Sequence, residues 1–335
     1  MIPLTLRDIA RVTGGRVHPD TAAAAATTIT TSVVTDSRAV GPGSLYVARR
    51  GEQADGHDYL ADAAEAGAAA ALTNRETDAL PCVVVDEAPG HDPTRRVDLP
   101  PYDAVTRAFA ALAREVHDRC AAAGGLRVVG ITGSSGKTST KDVMAQVLAG
   151  LGPTLAPEAS YNSEVGVPLT VCRLTEETGY LVAEMGASGA GHIAHLTRIA
   201  PPQVAVVLNV GTAHLGEFGS REAIGEAKSE LVQALPPDGL ADVDLGRLID
   251  FHRASGRLGD RRRHGHGAVF RRDHRVRARG CQQHSATQCR DSHSDDRHGL
   301  ANRRGDKLSE ALYQLDETVH QVLDWTNRTL THGCE

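Results

Sequence analysis

Apolar residues over the first 240 positions follow two rhythms. Short unbroken runs at Val33-Val34, 45–48, 68–72 and 82–85 are bounded by glycine, proline or charged residues and read as buried strands. Between them, 6–12 (stopped by Gly14-Gly15) and 59–66 have the length and spacing of helices. Strands alternating with helices predict a small α/β domain over 1–85. Positions 86–101 are polar and proline-bearing, as a linker is, and a helix is expected over about 102–121, so 86–124 reads as linker and helix.

The next stretch, 125–239, repeats the alternation at larger scale. An apolar strand at 126–132 precedes a helix at 137–151, whose apolar positions Val143, Met144, Val147, Leu148 and Leu151 share one face. Tyr180–Glu184 and 204–210 are two more buried strands, and a helix follows at 221–235, with Ser220 as N-cap and Pro236-Pro237 as its stop. This predicts a central domain of P-loop type with a mostly parallel sheet and helices on both faces.

From 240 to 335 the pattern breaks. The stretch 259–299 is dense in Arg, His, Ser and Gln and lacks apolar periodicity, so it cannot bury enough surface to offset its ordering entropy. Some helical spacing returns at 307–330. The tail is read either as a basic arm for an acidic partner or as the product of a reading-frame shift near codon 240. The abrupt change and the composition favour the second, so this region is expected to be largely irregular or disordered and not a native domain. The His264/His266 and His293/His298 pairs carry no metal-site expectation against that background.

Composition narrows the function. A length of 335 residues accommodates two or three domains, and a net charge of −6 argues against a nucleic-acid binder. The six cysteines form no C-x-x-C pair, so reduced thiols are expected. The amino terminus lacks the apolar core of a signal peptide, and no apolar run approaches the ~20 residues that span a bilayer. A cytoplasmic protein without membrane insertion is expected.

The strongest chemical signal is the glycine-rich run GITGSSGKT at 130–138, which ends in the G-K-T of a phosphate loop, directly after a strand and opening a helix. Gly130, Gly133 and Gly136, with Ser134 and Ser135, let backbone N–H groups close around phosphate oxygens, and the helix N-terminus adds its dipole. Lys137 is placed to neutralise the β- and γ-phosphates, and Thr138 to offer its hydroxyl to Mg²⁺. No Asn-Lys-x-Asp guanine motif is present, which favours ATP over GTP. Glu184 ends a parallel strand, where ligands bind in such sheets, and suits Mg²⁺; an idle strand-end glutamate fits the spacing equally well. Asn209 and His214 follow the next strand and reach the same edge, although a lone histidine is usually structural or solvated. Lys228 lies at the edge of the stripe Ile224, Ala227, Leu231 and Leu235. It either snorkels outward or serves a partly buried site, and the pattern favours snorkelling.

Several segments together resemble the Mur ligases of bacterial cell-wall synthesis: ITGSSGKTSTKD (131–142), YNSEVGVPLT (161–170), LVAEMGASGAGHIAHL (181–196) and NVGTAHLGEFGSREAIGEAKSEL (209–231). TDSRAVGPGSLYVARRGEQADGHDYL (35–60) looks like the family's uridine-nucleotide-binding domain, so the resemblance covers 1–239 apart from the polar insert. The same segment speaks against folyl-polyglutamate ligases, which start at the phosphate-loop domain.

The resemblance implies a monomeric enzyme of peptidoglycan synthesis. Its reaction would join a UDP-muramoyl-tripeptide to D-alanyl-D-alanine at the expense of ATP, through an acyl phosphate. By the same resemblance the loop residues Gly133 to Ser139, with Asn209, would hold ATP. Thr138 and Glu184 would hold one Mg²⁺ and His214 would help place a second. Lys228 would be carbamylated, Asn162 would lie near the γ-phosphate and the acceptor carboxylate, and Asp36, Ser37 and Arg38 would lie at the uridine end. Family members continue into a third domain that brings the amine. The departure after 240 therefore leads to the expectation of a poor or inactive ligase, or a nucleotide-binding remnant with a basic tail.

Overall fold

Local chemistry sets the first helix. Thr5 Oγ1 accepts from the Asp8 backbone N–H at 3.1 Å while an Asp8 oxygen accepts from the Thr5 N–H at 3.2 Å, a reciprocal capping box. Helix α1 (Leu6–Thr13) then runs to Gly14, whose left-handed φ of 70° ends it. The structure, a computed structural model, describes residues 1–87, 102–211, 215–237, 239–243 and 275–278.

Strand β1 (Leu4–Thr5) leads into α1, which is followed by β2 (Arg16–His18), α2 (Ala22–Ala26) and β3 (Thr28–Ile29), the last pairing antiparallel with β1. Next come β4 (Val33–Val34), β5 (Leu45–Val47), α3 (Leu60–Glu65), β6 (Ala70–Thr73) and β7 (Cys82–Val84). Their sheet has the order β2-β7-β6-β5-β4, parallel except for β2. Strands β5, β6 and β7 are buried at every position, which is why they appear in the sequence as unbroken apolar runs.

Helix α4 (Ala104–Ala123) is capped by Asp103, whose carboxylate accepts from the Thr106 N–H at 2.7 Å. Its buried face, with Val105, Phe109, Leu112, Val116 and Cys120, lies against α1 on one side and against central-domain helices on the other. One hydrophobic core therefore runs from Leu6 and Leu72 through Phe109 to Val171, Leu196 and Leu231.

The central region contains β8 (Arg127–Thr132), α5 (Lys137–Ala149), β9 (Thr154–Leu155), α6 (Gly166–Val171), β10 (Tyr180–Glu184), α7 (His192–Ile199), β11 (Val204–Val207), α8 (Leu215–Phe218), α9 (Arg221–Gln233) and β12 (Leu240–Val243). With β13 (Arg275–Ala278) the strands form an all-parallel sheet ordered β13-β12-β11-β8-β10-β9. After β8 the chain fills one side of the sheet, edge strand β9 before β10, and then crosses to the other. A crevice therefore opens at the carboxyl ends of β8, β10 and β11, the expected position for a ligand.

The fold is thus mixed α/β with a mostly parallel sheet, as the alternation of elements predicts. Two boundaries differ notably from the pattern. Helix α5 stops at Ala149, leaving Leu151 40% exposed, so the apolar stripe does not continue that far. Strand β11 ends at Val207, which frees 208–210 as a loop. The short elements β2, β3, β9 and α6 carry too few residues for a period to show. Of the 240–335 region, only 240–243 and 275–278 lie among the described residues, as parallel strands; the expected irregular tail and the 307–330 helical spacing lie outside them. No helix among the described residues is long and apolar enough to cross a membrane.

Candidate functional site

The phosphate loop leaves β8 at Thr132 and enters α5 at Lys137. Gly136 has a φ of 82°, a left-handed conformation that glycine adopts without strain. A Cβ on Gly133 would stand 3.0 Å from Leu208 Cβ, so that position admits only close backbone approach. Gly130 has a different function from the one its place in the motif suggests: a Cβ there would lie 2.7 Å from Leu231 Cδ1, so the residue seats α9 on β8. No side chain caps the start of α5, which leaves its first-turn N–H groups facing the loop.

Asn209 holds the loop in shape. Its Oδ1 accepts from the backbone N–H groups of Ser134 (3.0 Å) and Ser135 (3.1 Å), and its Nδ2 donates to the Ser135 carbonyl at 3.1 Å. Ser134 Oγ in turn accepts from the Gly211 N–H at 2.9 Å. The early end of β11 is what lets Asn209 turn back toward β8. Lys137 Nζ donates to the Gly133 carbonyl at 2.9 Å, so the ammonium lies over its own loop. Burial pushes its pKa down, against the pull of Glu184. Ser139 follows in the first turn and is exposed.

Glu184, at the end of β10, is only 1% exposed. Its Oε2 accepts from Thr138 Oγ1 at 3.0 Å, and its Oε1 accepts from Ser160 Oγ at 2.9 Å and Asn162 Nδ2 at 2.8 Å. A buried carboxylate that collects three neutral donors is not an idle strand end. Thr138, Glu184 and Asn162 are thus brought together as expected. Ser160 was not legible as a site residue; its signal is only that it lies two positions before Asn162 in a polar, helix-free stretch.

Lys228 corrects the snorkelling expectation. It is 5% exposed, and burial, then the charge of Lys137, pushes its pKa down to about 8. The helix bearing it is clasped to its neighbour: Glu230 accepts from the backbone N–H groups of Gly191 (2.6 Å) and Ala194 (2.9 Å) at the start of α7. Lys228 is buried on α9 together with Ile224, Ala227 and Leu231. His214 lies in 212–214, outside the described residues.

Asp36, Ser37 and Arg38 sit apart from this cluster, in a short 3₁₀ turn after β4. The Asp36 carboxylate accepts from Arg38 Nη2 (2.7 Å), Nε (2.9 Å) and the backbone N–H (3.0 Å), which brings its pKa down to about 2. Asp36 lines a cleft of about 430 Å³ that runs from Thr31–Thr35 to Tyr161, Leu169 and Arg173 of the central region. Beside this junction Arg49 Nη2 lies 3.7 Å from the buried carboxylate of Glu164, linking the two regions. A second cleft, about 590 Å³, opens at the amino ends of the strands, between Arg127, Glu177, Tyr180 and Gln203. Ligands bind at the other edge of such sheets. No group of three or more potential metal-ligating His, Cys, Asp or Glu residues occurs among the described residues.

The model of the Mur ligase family catalytic domain matches residues 30–115, and that of the Mur ligase middle domain matches 131–245. The UDP-N-acetylmuramoyl-tripeptide–D-alanyl-D-alanine ligase of Mycobacterium bovis is 50% identical over 246 residues, covering 71% of this chain and 48% of that protein. Among solved structures, MurF from Acinetobacter baumannii superposes with a TM-score of 0.64 at 30% identity, covering 83% of this chain and 53% of that one. The MurF ligase of Thermotoga maritima in complex with ADP gives a TM-score of 0.54 at 34% identity, covering 68% and 49%. The chain spans about half the length of the relatives it matches.

Proposed function

Since the chain belongs to the Mur ligase family, we propose that it serves the ATP-dependent joining of D-alanyl-D-alanine to a UDP-N-acetylmuramoyl-tripeptide. The observation that carries this reading is the cluster at the carboxyl edge of the sheet, where Lys137 and Thr138 of the phosphate loop meet Glu184, Asn162 and Ser160.

A carboxylate is a poor electrophile because its leaving group would be oxide. Transfer of the γ-phosphoryl group of ATP to the tripeptide carboxylate gives an acyl phosphate, whose leaving group is phosphate. The amine of D-alanyl-D-alanine attacks the carbonyl carbon, loses a proton and expels phosphate. In this scheme Lys137 neutralises oxygens of the β- and γ-phosphates, and the uncapped start of α5 donates to them. Asn162 orients the acceptor carboxylate against the γ-phosphate. The residues fit Mg²⁺: Thr138 Oγ1 and Glu184 Oε2 are hard oxygens 3.0 Å apart, one of them on a buried carboxylate. Thr138 and Glu184 would hold one ion, His214 would help place another, and bound Mg²⁺ neutralises charge on the phosphate oxygens.

Lys228, with a pKa of about 8, is partly neutral near pH 7. A neutral amine adds to the carbon of CO₂ and releases a proton, giving a carbamate whose negative charge would offset that of Lys137. Asp36, Ser37 and Arg38 would take the uridine end in the cleft that reaches Tyr161 and Arg173. The domains assigned from sequence, 1–85 for this substrate and 125–239 for ATP, follow the same division of labour. The enzyme would act as a cytoplasmic monomer.

Phosphate release with ATP, the UDP-muramoyl-tripeptide and D-alanyl-D-alanine tests the proposal. Turnover should require both substrates, and Lys137→Ala should lower kcat/KM by about a hundredfold or more, as loss of one charge-stabilising donor does elsewhere. Magnesium-dependent ATP binding without amine-dependent phosphate release would leave only a nucleotide-binding module.

A further inference from the structure

Lys141 stands one turn beyond Lys137 on α5 and is 1% exposed. A buried ammonium is costly unless its donors are satisfied. Lys141 Nζ donates to the backbone carbonyl of Pro157 at 2.6 Å and lies 2.7 Å from Asp142 Oδ1, a side chain that is itself mostly exposed. The acceptor is the informative partner. Pro157 lies near the start of the stretch between β9 and α6, which has no regular structure from Ala156 up to Asn162. That stretch carries Ser160 and Asn162, both of the donors on Glu184 Oε1.

Thr138 and Lys141 are three residues apart on α5 and so lie on one face of the helix. The contacts therefore close a ring. Lys141 grips the strap at Pro157; the strap grips Glu184 through Ser160 and Asn162; Glu184 grips the helix again through Thr138. The strap has a second fixed point at Gly166, where a Cβ would lie 2.5 Å from the Tyr161 backbone. Between these points its only side-chain hydrogen bonds into the site, among the described residues, are the two to Glu184.

We propose that Lys141 is a positioning residue for the cation site: by holding Pro157 it sets where Ser160 and Asn162 meet Glu184, and so fixes the carboxylate oxygen that faces Thr138. This rests on the reading of Thr138 and Glu184 as Mg²⁺ ligands. Residues that orient a metal ligand in this way typically alter metal affinity by about 10–100-fold when removed.

The sign of the effect separates positioning from charge. Removing a cation near a cation site tightens metal binding if only electrostatics matters, whereas removing a support for the ligand weakens it. The experiment follows binding of a fluorescent ATP analogue to the full chain at equilibrium, as a function of Mg²⁺ and without it. Lys141→Met, which keeps the length of the side chain, should raise the Mg²⁺ concentration for half-saturation about tenfold and leave Mg²⁺-free nucleotide affinity within about twofold. Ser160→Ala should shift it in the same direction, and the double variant should go no further than Lys141→Met, because both act through one oxygen.

An unchanged or tighter Mg²⁺ dependence in folded Lys141→Met overturns the inference, and so does full additivity in the double variant. If Lys141→Met fails to fold, Lys141→Gln, a neutral donor, takes its place. Unchanged Mg²⁺ dependence in Ser160→Ala overturns the proposal whatever becomes of the lysine variants. If the unsubstituted chain shows no Mg²⁺-dependent nucleotide binding, the functional reading itself fails, and that outcome is distinct from the others.

Discussion

Lys228 costs the folded state stability that a neutral side chain would not. Its pKa is pushed down to about 8, whereas an unfolded lysine titrates near ~10.4. Between these values the unfolded chain binds the extra proton, so stability rises with pH across that window; below about 8 the penalty is fully present. Lys228→Met should therefore raise the thermal midpoint at pH 7, and the gap from the unsubstituted protein should narrow as pH climbs from 8 to 10. The same variant should lose turnover, a trade of stability against function expected at active sites. Equal midpoints at pH 7 would show that the amine is not paying for its burial. The residue was visible in the sequence as a lysine beside an apolar stripe. Its burial was not, because helical phase fixes only an angle about the axis, and the packing of α9 against α7, β8 and β11 decides what the edge of the stripe meets.

At the scale of elements, the legible parts were those with a repeating signal. Tyr180–Glu184 appears at the bounds its apolar run predicts, and α9 starts after Ser220, whose hydroxyl accepts from the Ala223 N–H at 3.1 Å. The strap from Pro157 to Asn162 has no such signal, since its shape comes from long-range contacts. Gly166 is where this matters most. A Cβ there would lie 2.5 Å from the Tyr161 carbonyl carbon and Cα, which are backbone atoms and cannot turn aside. Gly166→Ala should displace Asn162 from Glu184 and cost about 1–3 kcal/mol in urea unfolding, as overpacking does. Turnover should fall further than the stability loss accounts for. A variant with near-normal turnover would mean that the strap's position is not needed for catalysis.

At the scale of the molecule, α4 makes the two sheets share one core. Phe109 is fully buried midway along that helix, with core neighbours in both regions. Phe109→Ala should cost about 3–5 kcal/mol, and hydrogen exchange should speed up in β5–β7 and in β8–β11 alike. Acceleration confined to one sheet would mean that the two regions open independently.

The sequence by itself determined the alternation of strands and helices, the phosphate loop and its attachment to α5, and the arrival of Glu184 and Asn209 at or just past the carboxyl ends of two strands successive in the chain. Each of these depends on periodicity or on residues close in the chain. Tertiary structure alone decided that Asn209 staples the loop, that Ser160 and Asn162 converge on Glu184, and that Lys141 and Lys228 face inward. Those contacts join residues from 16 to 75 positions apart. Their geometry exists only once the parallel sheet has brought the ends of its strands to a common edge.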